Sequence, residues 1–300
     1  MEIYHFPFRA MGSPCEFQLY TTDKTTAEAA CKKAHAEVSR LEKKYSRYRT
    51  DSVTSTINKS AGNLSGTKVD SETALLLDYA NAVFKQSAGL FDITSGVLRR
   101  VWNFKSNQVP SQSDINQTLE LVGWDHVEWQ RPHIVLTKPG MEIDFGGYVK
   151  EYAVDAAAQV LRQHGINAGI VDLGGDLKVL GPHPDNKPWT IGIRHPRDPA
   201  NAIASTTLGQ GAIASSGDYE RFMTVDGKRY AHILNPKTGW PIEGLSAVSV
   251  IASECLIAGS CSTVAMLKGE NDGKSWLESL KLPYICIDKQ MQVQGTTNIH

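Results

Sequence analysis

Long apolar runs are missing from this 300-residue chain: no window approaches the roughly 18 residues that a membrane-spanning helix needs. An excess of charge of either sign is missing too. With 31 Lys and Arg against 32 Asp and Glu, the formal net charge is −1, which speaks against polyanion binding as the principal role and against an acidic solvating tail. Cysteine is sparse. The five residues Cys15, Cys31, Cys255, Cys261 and Cys286 are odd in number, widely spread and without a CxxC pair, so they read as reduced, mostly buried thiols rather than a disulfide frame or a zinc site. Neither the G-x-G-x-x-G fingerprint nor the Walker pattern occurs. His126, His133, His164, His183 and His195 share no metal-ligand spacing and are expected on surfaces and loops. The opening MEIYHFPFRA lacks both a basic start and an apolar core segment, so the chain as written is expected to be cytoplasmic, or periplasmic if it is a trimmed mature form.

What is present is a 41% hydrophobic composition, enough for a substantial core. Cys15 to Tyr20 alternates as a strand does. Ala30, Ala34, Val38, Leu41, Tyr45 and Tyr48 then recur three or four apart, predicting an amphipathic helix of about five turns. A polar run from Thr50 to Thr67 separates it from a second helix carrying Leu75, Leu76, Tyr79, Ala82 and Val83. Strands are predicted at Val127–Trp129 and His133–Leu136, and Met141–Phe145 is expected to be a strand leading through Gly146-Gly147 into a helix with Ala153, Ala157 and Leu161. Two strands around Gly174-Gly175 follow. Asp226-Gly227 suits the type I′ turn of a hairpin spanning Arg221 to Ile233, whose second strand is expected to deliver His232. Beyond Pro241 come an apolar run, Ala247 to Ala252, a stretch of small residues from Leu256 to Leu267 that would let something approach the backbone, and a final helix with Trp276, Leu277 and Leu280. Without regular βαβ alternation the pattern predicts an α+β fold, one domain over residues 1–300 with a helical N-terminal portion.

Two segments share an Asp-x-Gly-Gly shape, Asp144 to Gly147 and Asp172 to Gly175. The first leads into a helix, where unsatisfied N–H groups and the helix dipole favour phosphate, and Lys150 sits one turn in. An ordinary packing corner is the alternative for either. His232, at the mouth of a Pro/Gly-rich turn, has the reference pKa to hold or shuttle a proton at neutral pH, against the plainer role of a hydrogen-bonded strand histidine. Phe91 to Gly96 and Ser215 to Arg221 are polar loops flanked by aromatics, suited either to walling a flat ring system or to ordinary turns.

Taken in order, Ala10-Met-Gly-Ser13, Tyr45-Ser-Arg-Tyr-Arg49, Phe91-Asp-Ile-Thr-Ser-Gly96, Ile143-Asp-Phe-Gly-Gly147, Val171-Asp-Leu-Gly-Gly-Asp176, Ser216-Gly-Asp-Tyr219 and His232-Ile-Leu-Asn-Pro-Lys-Thr-Gly-Trp-Pro241 resemble the ApbE family of FAD:protein FMN transferases. The resemblance spans nearly the whole chain. It implies an ApbE-like flavin transferase fold with a mixed sheet, FAD as donor, Mg²⁺, and transfer of FMN to a Thr or Ser hydroxyl of an acceptor flavoprotein with release of AMP. It further implies that Met11, Tyr48, Gly89, Leu90, Phe91, Asp144, Lys150 and Val248 line the FAD site, that His232 activates the acceptor hydroxyl, and that Thr263 and the Gly147 carbonyl are metal ligands.

The chain departs from the family pattern in two places. Asn235 stands where H-[IV]-[IL]-D-P-x-T-G has Asp. More consequentially, Ala258-Gly-Ser-Cys-Ser-Thr263 replaces A-D-A-[LW]-[SA]-T, so the magnesium-binding carboxylate aligns with Gly259. The helix entry also differs, with Tyr148, Val149 and Glu151. Tyr148 is expected to fill part of the site, and Glu151 or Asp176 to be a source of a substitute carboxylate. Two further activities stay open beside transfer: FAD binding without transfer, and FAD hydrolysis with water as acceptor. Gly259→Asp is expected to strengthen magnesium dependence.

Overall fold

The computed structural model describes residues 1–299. The chain opens with a hairpin of β1 (Glu2–Ala10) and β2 (Ser13–Thr21), followed by α1 (Lys24–Tyr45), α2 (Val53–Lys59), β3 (Thr67–Lys68) and α3 (Ser71–Gln86). Next come α4 (Gln112–Leu119), β4 (Val127–Gln130), β5 (His133–Leu136), α5 (Val149–Gln163), and the hairpin of β6 (Ala168–Leu173) and β7 (Asp176–Gly181). A second hairpin, β8 (Trp189–His195) with β9 (Asp198–Leu208), leads to β10 (Gly211–Gly217), then β11 (Phe222–Val225), β12 (Lys228–Ala231) and β13 (Ala247–Ala252). The chain finishes with α6 (Cys255–Lys268), α7 (Glu270–Ser279), β14 (Tyr284–Ile287) and β15 (Val293–Gly295).

Eight strands form the main sheet in the order β1-β2-β6-β7-β10-β13-β14-β15. Every pairing in it is antiparallel, which corrects the expected mixed sheet while upholding the α+β class. The long excursion between β2 and β6 re-enters running the opposite way, so no parallel neighbour arises. Strand alternation sorts residues to two faces. Phe17, Leu19, Val171, Ala212 and Ala214 join the core formed with α1, α5 and α6, whereas Ile170, Val179, Ile213 and Ile285 meet Trp189, Ile191 and Ile193 of the β8–β9 hairpin on the opposite face.

Local chemistry explains where the elements begin and end. Asp23, Ser52, Asp70 and Ser111 each cap a helix N-terminus by accepting backbone N–H bonds. Helix α1 stops at Tyr45, so Tyr48, expected to continue its apolar stripe, lies outside it and is 78% exposed. Inside the polar run, Ser52 nucleates α2, an element that hydrophobic periodicity does not signal because only Thr54 and Ile57 are buried. Met141 to Asp144 is not a strand. Its backbone bonds go elsewhere, Ile143 N–H to the Asn58 side chain and Asp144 N–H to the Ile93 carbonyl, so it joins no ladder. Asp226 and Gly227 both take positive φ, 50° and 76°, as a type I′ turn requires.

A small apolar cluster of Leu98, Trp102, Ile115 and Met223 clamps the β11–β12 hairpin to the segment from Ile233 to Trp240. Trp102 donates its indole N–H to the Gly239 carbonyl at 2.7 Å. This fixes the turn that follows His232.

Candidate functional site

The site gathers where the β6–β7 turn, the entry to α5, the end of β12 and the first turns of α6 meet. Asp144 organises the α5 entry: its carboxylate accepts Gly146 N–H at 2.8 Å and pairs with Arg47. The second Asp-x-Gly-Gly segment repeats the device, with Asp172 accepting Gly175 N–H at 2.7 Å. In both, one glycine donor is consumed by the turn itself, so the segments are partly packing corners. Lys150 Nζ stands 2.8 Å from Asp176 Oδ2 as an ion pair. Burial works to lower the Lys150 pKa, but the neighbouring Asp176 and Glu151 charges outweigh it and hold the ammonium above its ordinary value.

His232 lies one residue past β12 rather than within it. Its Nδ1 is 3.1 Å from the Arg221 carbonyl. A carbonyl only accepts, so Nδ1 carries the proton and Nε2 is left as the free base. Burial, then the positive charge of Arg221, lowers the His232 pKa to about 4, with Lys150 acting in the same direction.

The remaining expected positions spread around this centre. Met11 holds a left-handed conformation (φ 51°) and donates its N–H to Glu42 at 2.7 Å. Tyr48 is at the rim, its hydroxyl accepting from Arg47 at 2.8 Å. Gly89 (φ 80°) turns the chain so that Leu90 and buried Phe91 follow, beside the Lys237 side chain from the His232 loop, and the Phe91 ring lies 5.9 Å from that of Tyr148. Val248 is wholly buried in β13, paired with Ser216. Ser216 in turn shares hydrogen bonds with Thr263 at 2.9 Å and Ser262 at 2.8 Å.

Tyr148 does not fill the site. It is fully buried, bonds its hydroxyl to the Leu76 carbonyl and stacks on Tyr79, because its ring faces the helical core. The Phe91 to Gly96 loop also serves the scaffold, since buried Asp92 accepts Thr94 N–H at 2.8 Å and Trp124 N–H at 3.0 Å. Asn235 caps its own turn by accepting Lys237 N–H at 2.9 Å, which an amide oxygen does as well as a carboxylate. Sequence reasoning does not single out Arg47 or Ser216, although both sit inside the quoted motifs.

Glu151, 9% exposed, and Asp176, 3% exposed, form a buried acidic pair. Burial, and next the Asp176 charge, push the Glu151 pKa well above the carboxylate range. Glu151 Oε2 and the Ser260 hydroxyl are buried without hydrogen-bond partners. Two buried carboxyl groups, one of them with an unpartnered oxygen, offer the hard oxygen donors that fit a divalent cation, whose charge would favour the ionised form of Glu151. Among the described residues no three His, Cys, Asp or Glu side chains converge as a complete ligand set.

The sequence pattern of the ApbE family matches residues 11–286. The chain belongs to the ApbE family. A FAD:protein FMN transferase of Klebsiella pneumoniae (strain 342) is 31% identical over 277 residues, covering 90% of this chain and 84% of the relative. Another, from Chlamydia pneumoniae, is 34% identical over 69% of this chain and 67% of its own. Among solved structures, the ApbE protein of Thermotoga maritima MSB8 superposes with a TM-score of 0.89 at 30% identity, covering 98% of this chain and 97% of that one. The flavin transferase ApbE from Vibrio cholerae gives 0.86 at 25% identity, covering 99% and 97%. No helix among the described residues is long and apolar enough to cross a membrane.

Proposed function

We propose that this chain is a magnesium-dependent FAD:protein FMN transferase, acting as one domain over residues 1–300 and moving FMN from FAD to a Thr or Ser hydroxyl of an acceptor flavoprotein with release of AMP. The observation that carries the reading is His232: an imidazole whose Nδ1 is engaged by the Arg221 carbonyl, whose Nε2 is free, and which burial and the Arg221 charge hold neutral.

The chain's own groups divide the work. Lys150 offers a fixed positive charge to the FAD pyrophosphate, and Gly147 N–H, at the α5 entry, a donor to the same anion. Met11, Tyr48, Gly89, Leu90, Phe91, Asp144 and Val248 bound the space for the isoalloxazine and adenine rings. The Gly147 carbonyl, Thr263 and a carboxylate from the Glu151–Asp176 pair would hold Mg²⁺, which when bound supplies positive charge for the phosphoryl oxygens. His232 Nε2 takes the proton of the acceptor hydroxyl as its oxygen attacks the phosphorus next to riboflavin, in line with departing AMP. Phosphoryl transfer of this kind depends on positioning and charge more than on covalent help.

The test is intact mass spectrometry of an acceptor peptide after incubation with the protein, FAD and Mg²⁺. One added FMN, abolished by EDTA and reduced roughly 10²- to 10⁴-fold by His232→Ala, is the expected result. Tight FAD binding with neither adduct nor AMP would instead identify a flavin-binding protein, and AMP without adduct a hydrolase.

A further inference from the structure

Helices α5 and α6 meet along a seam with a regular four-residue step. At one end Asp155 accepts the N–H groups of Cys255 and Leu256, each at 2.9 Å, fixing the start of α6 against α5. One turn back along α5 and one turn forward along α6, Glu151 faces Gly259. A Cβ at Gly259 would lie 2.5 Å from Glu151 Cγ and 3.0 Å from both Cδ and Oε1, so the Glu151 side chain occupies the volume into which any side chain at 259 would project. A further turn along α6 leads to Thr263, whose hydroxyl is tied to Ser216. Residues four apart on a helix share a face, so 151 and 155 on α5 oppose 259 and 255 on α6 in antiparallel register.

We infer that Glu151 on α5 is the metal-binding carboxylate of this chain, and that Gly259 on α6 is the space that its side chain requires. This rests on the proposed metal-dependent reading and deepens it. Glu151 Oε2 is buried with no partner, Ser260 Oγ beside Gly259 is likewise unpartnered, and Lys150, the cation that meets the acidic pair, is directed to Asp176. The two positions therefore form a reciprocal exchange: a side chain at 151 excludes one at 259, and the charge is retained on the opposite helix. It also follows that Gly259→Asp alone does not restore a ligand, because the new side chain has no room while Glu151 is present.

Manganese binding tests this independently of catalysis. The fraction of Mn²⁺ bound, read from loss of the free-ion electron paramagnetic resonance signal with and without FAD, is compared for the parent, Glu151→Gln, Gly259→Asp, and the paired exchange Glu151→Gly with Gly259→Asp. We expect the parent to bind, Glu151→Gln to weaken binding tenfold or more while Tm and the FAD affinity measured without metal stay near parental values, Gly259→Asp alone to bind no better than the parent, and the paired exchange to bind within a few-fold of it. Parental Mn²⁺ affinity in Glu151→Gln, or no binding by the parent, overturns the inference. If Glu151→Gln fails to fold, the paired exchange decides: loss of binding in a folded protein overturns it too. FMN transfer to peptide, measured in parallel on the parent, reports on the proposed function alone, so the two readings fail separately.

Discussion

His232 should remain neutral far below the pH at which a histidine normally protonates. A pKa near 4 instead of 6.5 follows from burial, reinforced by Arg221 and Lys150 and only partly offset by the Arg221 carbonyl. At pH 5.5 an ordinary imidazole is about nine-tenths protonated, whereas His232 would be protonated to only a few per cent. Long-range ¹H–¹⁵N spectra of the metal-free protein read this directly, with the His232 resonances assigned by their loss in His232→Gln. The expected spectrum at pH 5.5 still shows the neutral Nδ1–H tautomer, as the 3.1 Å contact to the Arg221 carbonyl requires. Arg221→Gln should move the midpoint up toward 6.5. The stability consequence has a definite sign: the unfolded chain binds the proton first, so the contribution of neutral His232 is complete above 6.5 and is lost as pH falls from there toward 4. A midpoint between 6 and 7, or an Nε2–H tautomer, would refute the assignment of Nε2 as a base poised at neutral pH.

Two further substitutions test the scaffold. Asp218 is 1% exposed and accepts from Arg197 at 2.6 and 2.8 Å and from Lys289 at 2.6 Å; these cations overcome its burial and hold its pKa below the ordinary 3.8. Asp218→Asn should cost about 1–3 kcal/mol in urea unfolding at pH 7, with the difference from the parent shrinking as pH falls below 3.8, because the parent's carboxylate contribution is lost there; a constant difference would contradict the ion-pair account. Gly169 has φ 145°, and an added Cβ would run into the Gln18 carbonyl of β2. Gly169→Ala should therefore destabilise by about 2 kcal/mol or more, a fall in Tm of roughly 3 °C or more by calorimetry, and an unchanged Tm would show that the backbone where β6 meets β2 relaxes freely.

Sequence legibility varies with how locally each feature is determined. The β11–β12 hairpin is readable because its turn needs two consecutive positive φ values and Asp226-Gly227 supplies them. Helices α1, α3 and α5 announce themselves through buried residues at helical spacing. The β8–β9 hairpin escapes a sequence reading although Trp189, Ile191 and Ile193 alternate, since its apolar face has meaning only once the main sheet presents Ile170 and Ile213 to it. Met141 to Asp144 has a strand-like composition but meets the Asn58 side chain instead of a neighbouring strand, a partner that no local pattern specifies. The same limit applies to the site. The motif histidine, lysine and Asp-x-Gly-Gly turns can be named from sequence, whereas the direction of Tyr148 into the core and the pairing of Lys150 with Asp176 depend on tertiary packing.

The departures at 151 and 259 illustrate why a missing ligand cannot be judged one position at a time. Read singly against the family resemblance, Gly259 stands where a carboxylate is expected and Glu151 is an unexplained carboxyl group. Packed together, they form a single steric event, because the two side-chain positions compete for one volume between α5 and α6. A buried carboxyl with an unpartnered oxygen carries a desolvation cost that glutamine would lessen and alanine would remove. Such a group persists where it is of use, and natural proteins accept local violations of polar satisfaction chiefly at functional sites. The proposed compensation relies on Asp155, which locks the start of α6 to α5 one turn away and keeps the two helices in a fixed register. In the proposed reading the seam needs a carboxylate oxygen at one point along it, and either helix can supply it.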